Sequence, residues 1–378
     1  MQTPYFDPID DSPALADLRR RLRDFVDKQA FPAILEHEAA STFPFDLFRR
    51  TGEEGFFKVH LRTAAGGDGL GVPAFCLVSE ELSRAGAGMV HNGHFQLMEM
   101  LAEYGTIDQR RRYLDPLARG TAIGAMAITE AGVGSSFRSM QTRIQPRGDG
   151  WTLDGAKVFI NDAAEADLLG VLARSGDGFA MVVVERDTPG FTLTGGLDPL
   201  GLRSSPLHNI AFENCPVPAE RILGPPTEGL AVFLSAFNFS RLGNASAALG
   251  IAQAAFDKAL DYLRRRDVGG RPAAGFQGLR WMIAAMSTRL QAARLLRDHA
   301  ARATDAVGKS GLLSSQAKLF CVETAQAVVG DALQLTGRYG CLRDSLFDLY
   351  QRDVKALAIA GGTLEVMKNN IAREIIGF

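Results

Sequence analysis

Three sequence patterns follow one another along the 378-residue chain, and their order constrains the fold more than any other feature. Residues 15–26 and 75–82 carry apolar side chains at three- and four-residue intervals, which is typical of amphipathic helices. Between about 121 and 229, short β-branched and aromatic runs alternate with turn signals, as in residues 179–184. Helical periodicity then returns in long Ala-rich segments such as residues 245–264.

This order predicts an α+β chain of three domains. We expect an N-terminal helical domain at residues 1–120, a central antiparallel β-barrel at 121–230 and a C-terminal four-helix bundle at 231–378. The sequence has no Gly-x-Gly-x-x-Gly after a strand and no Gly-Lys-Ser/Thr phosphate loop, which argues against a doubly wound nucleotide-binding fold. A nucleotide cofactor would therefore have to be held in another way.

Charge and composition exclude several function classes. Lys and Arg number 41 against 43 Asp and Glu, so the chain lacks the basic field that nucleic acid or an anionic membrane requires. Apolar stretches such as residues 242–256 are shorter than the roughly 20 residues that span a bilayer, so no membrane span is expected. The acidic start, residues 1–11, is unlike a signal peptide and predicts a cytoplasmic protein. Four scattered cysteines and six scattered histidines indicate neither disulfides nor a metal site.

The sequence AITEAGVGSS at residues 127–136, followed by KVFIN at 157–161, resembles the flavin-binding signature of the acyl-CoA dehydrogenase family. Further family-like segments keep the family's order along nearly the whole chain. They are 66–70 with 80–82, 104–120, the interface motif Tyr262, Arg266, Gly270 and Gln277, the loop 334–340 with Arg338 in place of a second Gly, and the stretches 352–363 and 371–373. The chain is identified on these motifs as a divergent member of the family.

The resemblance implies FAD as the cofactor. Thr129 and nearby backbone N–H groups would stabilise the negative charge of a reduced flavin, and Gly134 with Ser135 would allow close approach of its pyrophosphate. In the family the adenosine half lies against a neighbouring protomer, which implies a homo-oligomer, typically a homotetramer. The cofactor-binding positions that the resemblance carries over are Met126, Ile128, Thr129, Gly134, Ser135, Phe159, Asn161, Arg266, Gln277, Gln334, Gly337, Arg338, Thr363 and Glu365.

The resemblance also implies an acyl thioester substrate, carried on CoA or on a carrier protein. Asn238 stands at the family position that bonds the pantetheine arm, and Arg241 stands near the thioester end. The backbone N–H of Gly361 would polarise the thioester carbonyl. Ser135 and Gly362 complete the substrate-binding positions.

The usual catalytic carboxylate is missing from both places where the family has it, which hold Gly361 and Ser240 here. Neither residue can act as a base, and general-base catalysis typically contributes about 10²- to 10⁴-fold. His91 and His94 lie in the stretch that lines the family's acyl cavity and are candidates for a relocated base, although the favoured interpretation is that each packs on a partly buried helix and bonds a backbone carbonyl. The missing side chain at 361 also predicts extra room for a bulkier acyl group.

Two further departures concern the flavin. Asn161, whose amide can donate a hydrogen bond, stands where the family commonly has Thr or Ser near N5, and Ser136 replaces an Asp. These changes favour noncustomary chemistry, a flavin-dependent oxidation or monooxygenation of a CoA thioester by O2 in a specialised catabolic or biosynthetic pathway. Two alternatives stay open. One is ordinary α,β-dehydrogenation with a relocated base and an electron-transfer partner, and the other is a catalytically silent module that binds FAD or a thioester.

Overall fold

The computed structural model describes residues 12–308 and 310–377, so the acidic start discussed above lies outside the described residues. Two π-helical turns, Val26–Ala30 and Arg110–Leu114, interrupt the helices of the N-terminal region. The α-helices of this region are α1 Pro13–Phe25, α2 Phe31–Ala40, α3 Phe45–Glu53, α4 Gly71–Ser83, α5 Asn92–Tyr104, α6 Ile107–Gln109 and α7 Asp115–Ala118.

Local sequence sets where several of these helices begin. The Ser12 hydroxyl accepts the Leu15 N–H at 3.2 Å and caps α1. Thr106 and Gln109 form a reciprocal capping box at the start of α6. The α4 helix is buried over nearly its whole length and packs against helices of the C-terminal region, because most of its side chains are apolar and its two glutamates, Glu80 and Glu81, form buried ion pairs.

The middle region is one eight-stranded sheet. Its hydrogen-bonded path runs β6-β7-β3-β2-β4-β5-β8, with β1 paired to β4. This path does not close within the described residues, so the predicted barrel is too strong a description, and β4 pairs in parallel with β1 and β2 although an antiparallel sheet was predicted. The strands are β1 Gly124–Ala127, β2 Arg143–Arg147, β3 Gly150–Asn161, β4 Leu168–Ser175, β5 Gly178–Glu185, β6 Phe191–Leu197, β7 Leu207–Val217 and β8 Ile222–Leu223.

The C-terminal region is a helical bundle. Its helices are α8 Gly229–Arg265, α9 Gln277–Val307, α10 Gly311–Thr336, α11 Phe347–Leu357 and α12 Leu364–Ile376. The predicted order of helices, sheet and helices is confirmed, whereas α11 is an addition to the four predicted helices. No helix in the described ranges combines the length and the apolarity that crossing a bilayer requires.

A buried ion cluster joins the N-terminal and C-terminal helices. Glu80 of α4 pairs with Arg294 and with Arg297 of α9, each at 2.8 Å, and all three side chains are nearly inaccessible to solvent. Burial opposes ionisation of Glu80, yet the two guanidinium groups hold the pKa of its carboxyl well below its usual range. The cluster therefore fixes α4 against α9 through charges that depend on one another.

A second buried carboxylate, Asp353 of α11, connects all three regions. Its Oδ2 accepts the Ala87 N–H and its Oδ1 accepts the Leu202 N–H, both at 2.8 Å. Ala87 precedes α5, and Leu202 lies between β6 and β7. Burial, reinforced by the neighbouring Glu38, raises the pKa of Asp353 to about 7. Because Ala87 and Leu202 both line the central cavity, Asp353 sets the position of two of its walls relative to the bundle.

Candidate active site

A cavity of about 890 Å³ lies where the three regions meet. Pockets of about 300–1,000 Å³ are typical of sites for small molecules and cofactors. Among the positions predicted from the sequence, the structure brings together at this cavity His91, Met126, Ile128, Thr129, Gly134, Ser135, Phe159, Asn161, Asn238, Ser240, Arg241, Gly361, Gly362 and Thr363.

The loop that follows β1 is anchored by a buried ion pair. Lys157 of β3 donates to Glu130 Oε1 at 2.9 Å and to the Ile128 carbonyl oxygen at 3.0 Å. Glu130 also accepts two backbone N–H groups, at 2.6 and 3.0 Å. Burial lowers the pKa of the Lys157 ammonium to about 8, although Glu130 opposes this shift. Thr129 lies between the two anchored residues and is thereby fixed at the cavity wall.

The wall beside this loop fits the requirements of FAD. Thr129 and Ser135 bring hydroxyl groups to the cavity, and no atom lies within 4 Å of the place where a Cβ on Gly134 would stand. The ring of Phe159 lines the cavity, is 60% exposed and sits on a backbone with φ of +59°. An exposed aromatic face on such a strained backbone is unusual outside functional sites. These residues would accommodate the flat ring system and the pyrophosphate of the cofactor.

A chain of polar contacts runs along the cavity wall from Asn161 to His91. The Asn161 amide nitrogen donates to the hydroxyl and to the carbonyl oxygen of Ser205, both at 3.0 Å. The Ser205 hydroxyl donates to Asp162 Oδ1 at 2.7 Å, and Asp162 Oδ2 lies 3.6 Å from His91 Nδ1. The Asn161 amide is therefore directed at Ser205, and it is not free to donate to a flavin as the sequence analysis supposed.

His91 occupies an unusual position at the start of α5. Its backbone has φ of +47°, its side chain is buried, and its ring lies 4.9 Å from that of Phe43 and 5.1 Å from that of Phe48. Neither ring nitrogen has a hydrogen-bond partner within residues 12–308 and 310–377. His91 therefore lines the cavity as a buried imidazole beside a carboxylate, and imidazole is a common proton acceptor in catalysis.

His94 lies in a different environment, although it is only three residues further on. It is fully buried outside the cavity wall, and its Nδ1 accepts the Gly124 N–H at 3.0 Å. Burial, together with the nearby His91, lowers the pKa of His94 to about 3. The structure thus gives His94 a packing position and does not support it as a relocated base.

The loop before α12 is held from below by a buried lysine. Lys318 of α10 donates to the carbonyl oxygens of Ala360 and Gly362, on either side of Gly361. Burial, with a smaller contribution from Arg241, lowers the pKa of Lys318 to about 7. This anchoring fixes the backbone N–H of Gly361 without any side chain at that position.

The space beside Gly361 is filled by an asparagine. A Cβ built on Gly361, whose φ is +67°, would overlap the amide nitrogen of Asn244 from α8. The prediction of extra room at Gly361 is therefore wrong, because Asn244 takes the place of the missing side chain. The Asn244 Oδ1 accepts from Asn92 Nδ2 at 3.1 Å, and Asn92 Nδ2 also contacts the hydroxyl of Ser240 at 3.0 Å.

Arg241 forms the cationic part of the same wall. Its Nη1 donates to Asn238 Oδ1 at 2.7 Å, and its guanidinium lies 4.9 Å from the centre of the Phe237 ring. Burial lowers the pKa of Arg241 to about 10. No carboxylate lies within ion-pair distance of Arg241 or Lys318 in the described part of the chain. The wall around Gly361 is therefore electropositive.

The remaining predicted cofactor positions do not reach the cavity. Their side chains are exposed, and the guanidinium of Arg266 lies 5.9 Å from the centre of the Tyr339 ring near the end of α8. Within one chain the structure leaves these positions separate from the flavin-side loop. They are Arg266, Gln277, Gln334, Gly337, Arg338 and Glu365.

Sequence reasoning missed several polar residues of the site. Lys157 lies inside the segment 157–161 and Asp162 directly follows it. Both are buried in the structure, and the sequence signal that could have singled them out is a charged residue among apolar neighbours. Asn92, Asn244 and Lys318 gave no comparable signal, because their partners lie far away in the sequence.

Comparison with known families covers nearly the whole chain. Three family models match, "Acyl-CoA dehydrogenase, N-terminal domain" over residues 12–121, "Acyl-CoA dehydrogenase, middle domain" over 125–215 and "Acyl-CoA dehydrogenase, C-terminal domain" over 227–376. The resemblance found in the sequence is thus confirmed.

Individual relatives agree with the family models. The chain is 33% identical to an acyl-CoA dehydrogenase of Bacillus subtilis, covering 95% of this chain and 97% of the relative. It is also 33% identical to the 3-(aryl)acrylate reductase of Clostridium sporogenes, with the same coverage of both chains. A solved glutaryl-CoA dehydrogenase from Mycobacterium smegmatis in complex with FADH2 superposes with a TM-score of 0.92 at 28% identity, over 97% of this chain and 95% of that one. The chain belongs to the acyl-CoA dehydrogenase family of FAD-dependent acyl-CoA oxidoreductases.

Proposed function

We propose that this chain catalyses the α,β-dehydrogenation of an acyl-CoA thioester and that His91 is the proton acceptor. The observation that carries the proposal is a single cavity lined by the Thr129–Ser135 loop, by Gly361 and by His91 beside Asp162. The relatives described above are named dehydrogenases or a reductase. They lend no support to the oxygenation that the departures at Asn161 and Gly361 suggested.

The thioester would be held by groups on both sides of Gly361. The backbone N–H of Gly361 is fixed by the contacts of Lys318 with the neighbouring carbonyl oxygens and can donate to the thioester oxygen. Arg241 and Lys318 add positive charge beside it, which stabilises negative charge that develops on that oxygen as the α-proton leaves. Asn238 has its amide oxygen engaged by Arg241, which leaves its NH2 group for the pantetheine arm.

FAD, when bound, supplies the acceptor for the hydride that leaves the β-carbon. Thr129, Gly134, Ser135 and Phe159 would hold it, as the open wall beside them allows. The exposed positions Arg266 and Gln334 and their neighbours would meet the adenosine half of a cofactor bound by another subunit.

Proton removal falls to His91 in this proposal. His91 lines the cavity and its imidazole has no hydrogen-bond partner within the described residues, so Asp162 at 3.6 Å would stabilise the imidazolium once the proton is taken up. The two phenylalanine rings that pack on His91 fix its orientation. The same residues would return the proton in the reverse direction, so reduction of an enoyl thioester would use the same site; the Clostridium sporogenes relative is named a reductase of 3-(aryl)acrylate.

A homotetramer and an electron-transfer protein as the final electron acceptor complete the proposal. Trp281 of α9 and Tyr339 are 65% and 57% exposed, and large apolar side chains of this kind are often covered by a second copy of the chain. A carrier protein instead of CoA is the second candidate for the thioester carrier.

The proposal is tested with the FAD-loaded protein under anaerobic conditions. We expect acyl-CoA thioesters to bleach the flavin and to yield the enoyl thioester by mass spectrometry. His91→Gln should slow bleaching by ~10²-fold or more and slow exchange of the α-proton with D2O equally. The matched control His94→Gln should lower thermal stability and leave the bleaching rate nearly unchanged.

Three results would contradict the proposal. An unchanged bleaching rate in His91→Gln would remove His91 from the reaction. Incorporation of ¹⁸O from labelled oxygen into the product would favour the oxygenase. A protein that binds FAD and thioester without ever reducing the flavin would be the silent module.

A further inference from the structure

The part of α8 beside Gly361 lines the cavity with polar side chains, where a hydrocarbon chain would call for apolar ones. Asn92, Ser240 and Asn244 all line the cavity there and form one hydrogen-bonded cluster. Ser240 and Asn244 are 2% and 5% exposed, and Asn92 is half-buried. Polar side chains are seldom buried beside a ligand cavity unless their hydrogen bonds are satisfied.

One donor of this cluster is left over. The Asn244 side chain is 5% exposed, its oxygen is used by Asn92, and its amide nitrogen has no partner within residues 12–308 and 310–377. That nitrogen points at Gly361, because a Cβ built on Gly361 would overlap it. An unpartnered buried donor is unfavourable, so it indicates that a ligand atom completes the site.

The charge around this donor selects the kind of ligand atom. Lys318 Nζ lies 3.5 Å from the same Cβ position, and the buried guanidinium of Arg241 belongs to the same wall. A buried guanidinium and a buried lysine Nζ beside a free N–H favour an oxygen that accepts hydrogen bonds, and they disfavour a cationic or purely donating group.

We propose that the acyl group of the substrate carries an oxygen substituent close to its α–β bond, in addition to the thioester carbonyl, and that Asn244 Nδ2 donates to it. This inference rests on the proposed function of the cavity as a thioester site and names the substrate class. Hydroxyl, ether and keto groups share the required acceptor. Asn244 is then a specificity-determining residue, and a site built around such a hydrogen bond discriminates strongly against ligands that lack the oxygen.

Binding is the appropriate test, because it does not require turnover. The FAD-loaded protein is titrated with butyryl-CoA and with its 2-hydroxy, 3-hydroxy and 4-hydroxy derivatives, and dissociation constants are read from calorimetry. We expect at least one hydroxy derivative to bind about tenfold or more tightly than butyryl-CoA. Asn244→Leu is close in size and leaves Asn92 its bonds to Ser240, so it should abolish this preference.

Two further variants complete the design. Asn244→Asp keeps the shape, replaces the donor by an acceptor and should also abolish the preference, which covers the case in which the leucine variant does not fold. Asn369→Leu, on the exposed face of α12 and away from the cavity, makes the same chemical change and should retain the preference.

The outcomes separate the two proposals. Wild-type protein that binds butyryl-CoA as tightly as every hydroxy derivative would overturn the inference and leave an ordered water as the partner of Asn244. A preference that survives in both Asn244 variants would overturn it as well. Preferential binding of a hydroxy derivative without flavin reduction by any thioester would uphold the inference while the proposed dehydrogenation fails.

Discussion

Gly361→Glu should destabilise the protein unless Asn244 is shortened at the same time. A side chain on a left-handed backbone such as that at 361, with φ of +67°, costs about 1–2 kcal/mol. Overlap of the new Cβ with the Asn244 amide adds a further cost typical of overpacking, about 1–3 kcal/mol. We therefore expect the single variant to lose about 2–5 kcal/mol of unfolding free energy, and Gly361→Glu with Asn244→Ala to recover the overpacking part.

The double change also tests the electropositive wall. A carboxylate at 361 would stand near the Lys318 ammonium, with the Arg241 guanidinium in the same wall, in a place suited to accept an α-proton. When both changes are added to His91→Gln, anaerobic flavin bleaching should recover at least tenfold, since a positioned base contributes about 10²- to 10⁴-fold. The unfolding free energies come from urea titrations of the FAD-loaded variants, and the rates come from stopped-flow absorbance.

The matched control is Gly361→Gln with Asn244→Ala in the same background, which has the same size and no base. Recovery by glutamine as well as by glutamate would show that shape, not proton transfer, limits the His91→Gln variant. A Gly361→Glu single variant as stable as the wild type would refute the steric reasoning about Asn244.

Three further predictions concern other parts of the molecule. Glu80→Gln should cost about 3–5 kcal/mol of unfolding free energy at pH 7, because it removes the buried carboxylate that Arg294 and Arg297 share. The depressed pKa of Glu80 means that this stabilisation is present above about pH 4.5 and lost as the pH falls, and equal urea midpoints at pH 7 would contradict the prediction. The pKa of Asp353 is raised to about 7, so the native state binds more protons than the unfolded chain between about pH 4 and 7. The unfolding free energy should therefore fall as the pH rises through that window. Asp353→Asn should remove this pH dependence, measured by urea titrations at several pH values. Arg266→Gln should weaken FAD retention about tenfold or more, as loss of a charged hydrogen bond does, measured as the FAD-to-protein ratio after gel filtration, and undiminished retention would exclude the residue from the cofactor site.

The fold was largely predictable because the pattern of apolar residues within short stretches of sequence indicates most of its helices and strands. The apolar spacing of α1, α8 and α10 and the continuous apolar run of β5 are properties of short windows of sequence. The open edge of the sheet was not predictable, because strand closure depends on which distant strands pair. The helix α11 was missed because its 11 residues follow irregular turns and offer only a brief apolar pattern.

The residues of the candidate site differ in the same way: those that belong to short sequence motifs were predicted, and those that only packing brings together were not. Thr129, Ser135 and Phe159 were found because they belong to two short segments, 127–136 and 157–161, that resemble the family's flavin-binding signature. Asn244 was not found, since its partner Asn92 lies 152 residues earlier and only packing of α5 against α8 brings the two amides together. The same holds for the contact of Lys318 with Gly362, which are 44 residues apart.

The two hydrogen bonds that Asp353 accepts determine which substitutions the cavity lining can tolerate. The carboxylate accepts hydrogen bonds from two main-chain N–H groups, at Ala87 and Leu202, and nearly every residue type has a main-chain N–H. Substitutions at positions 87 and 202 can therefore change the cavity lining while the hydrogen bonds of Asp353 still hold the three regions together. Proline is the exception at both positions, since it alone lacks the N–H that donates to Asp353.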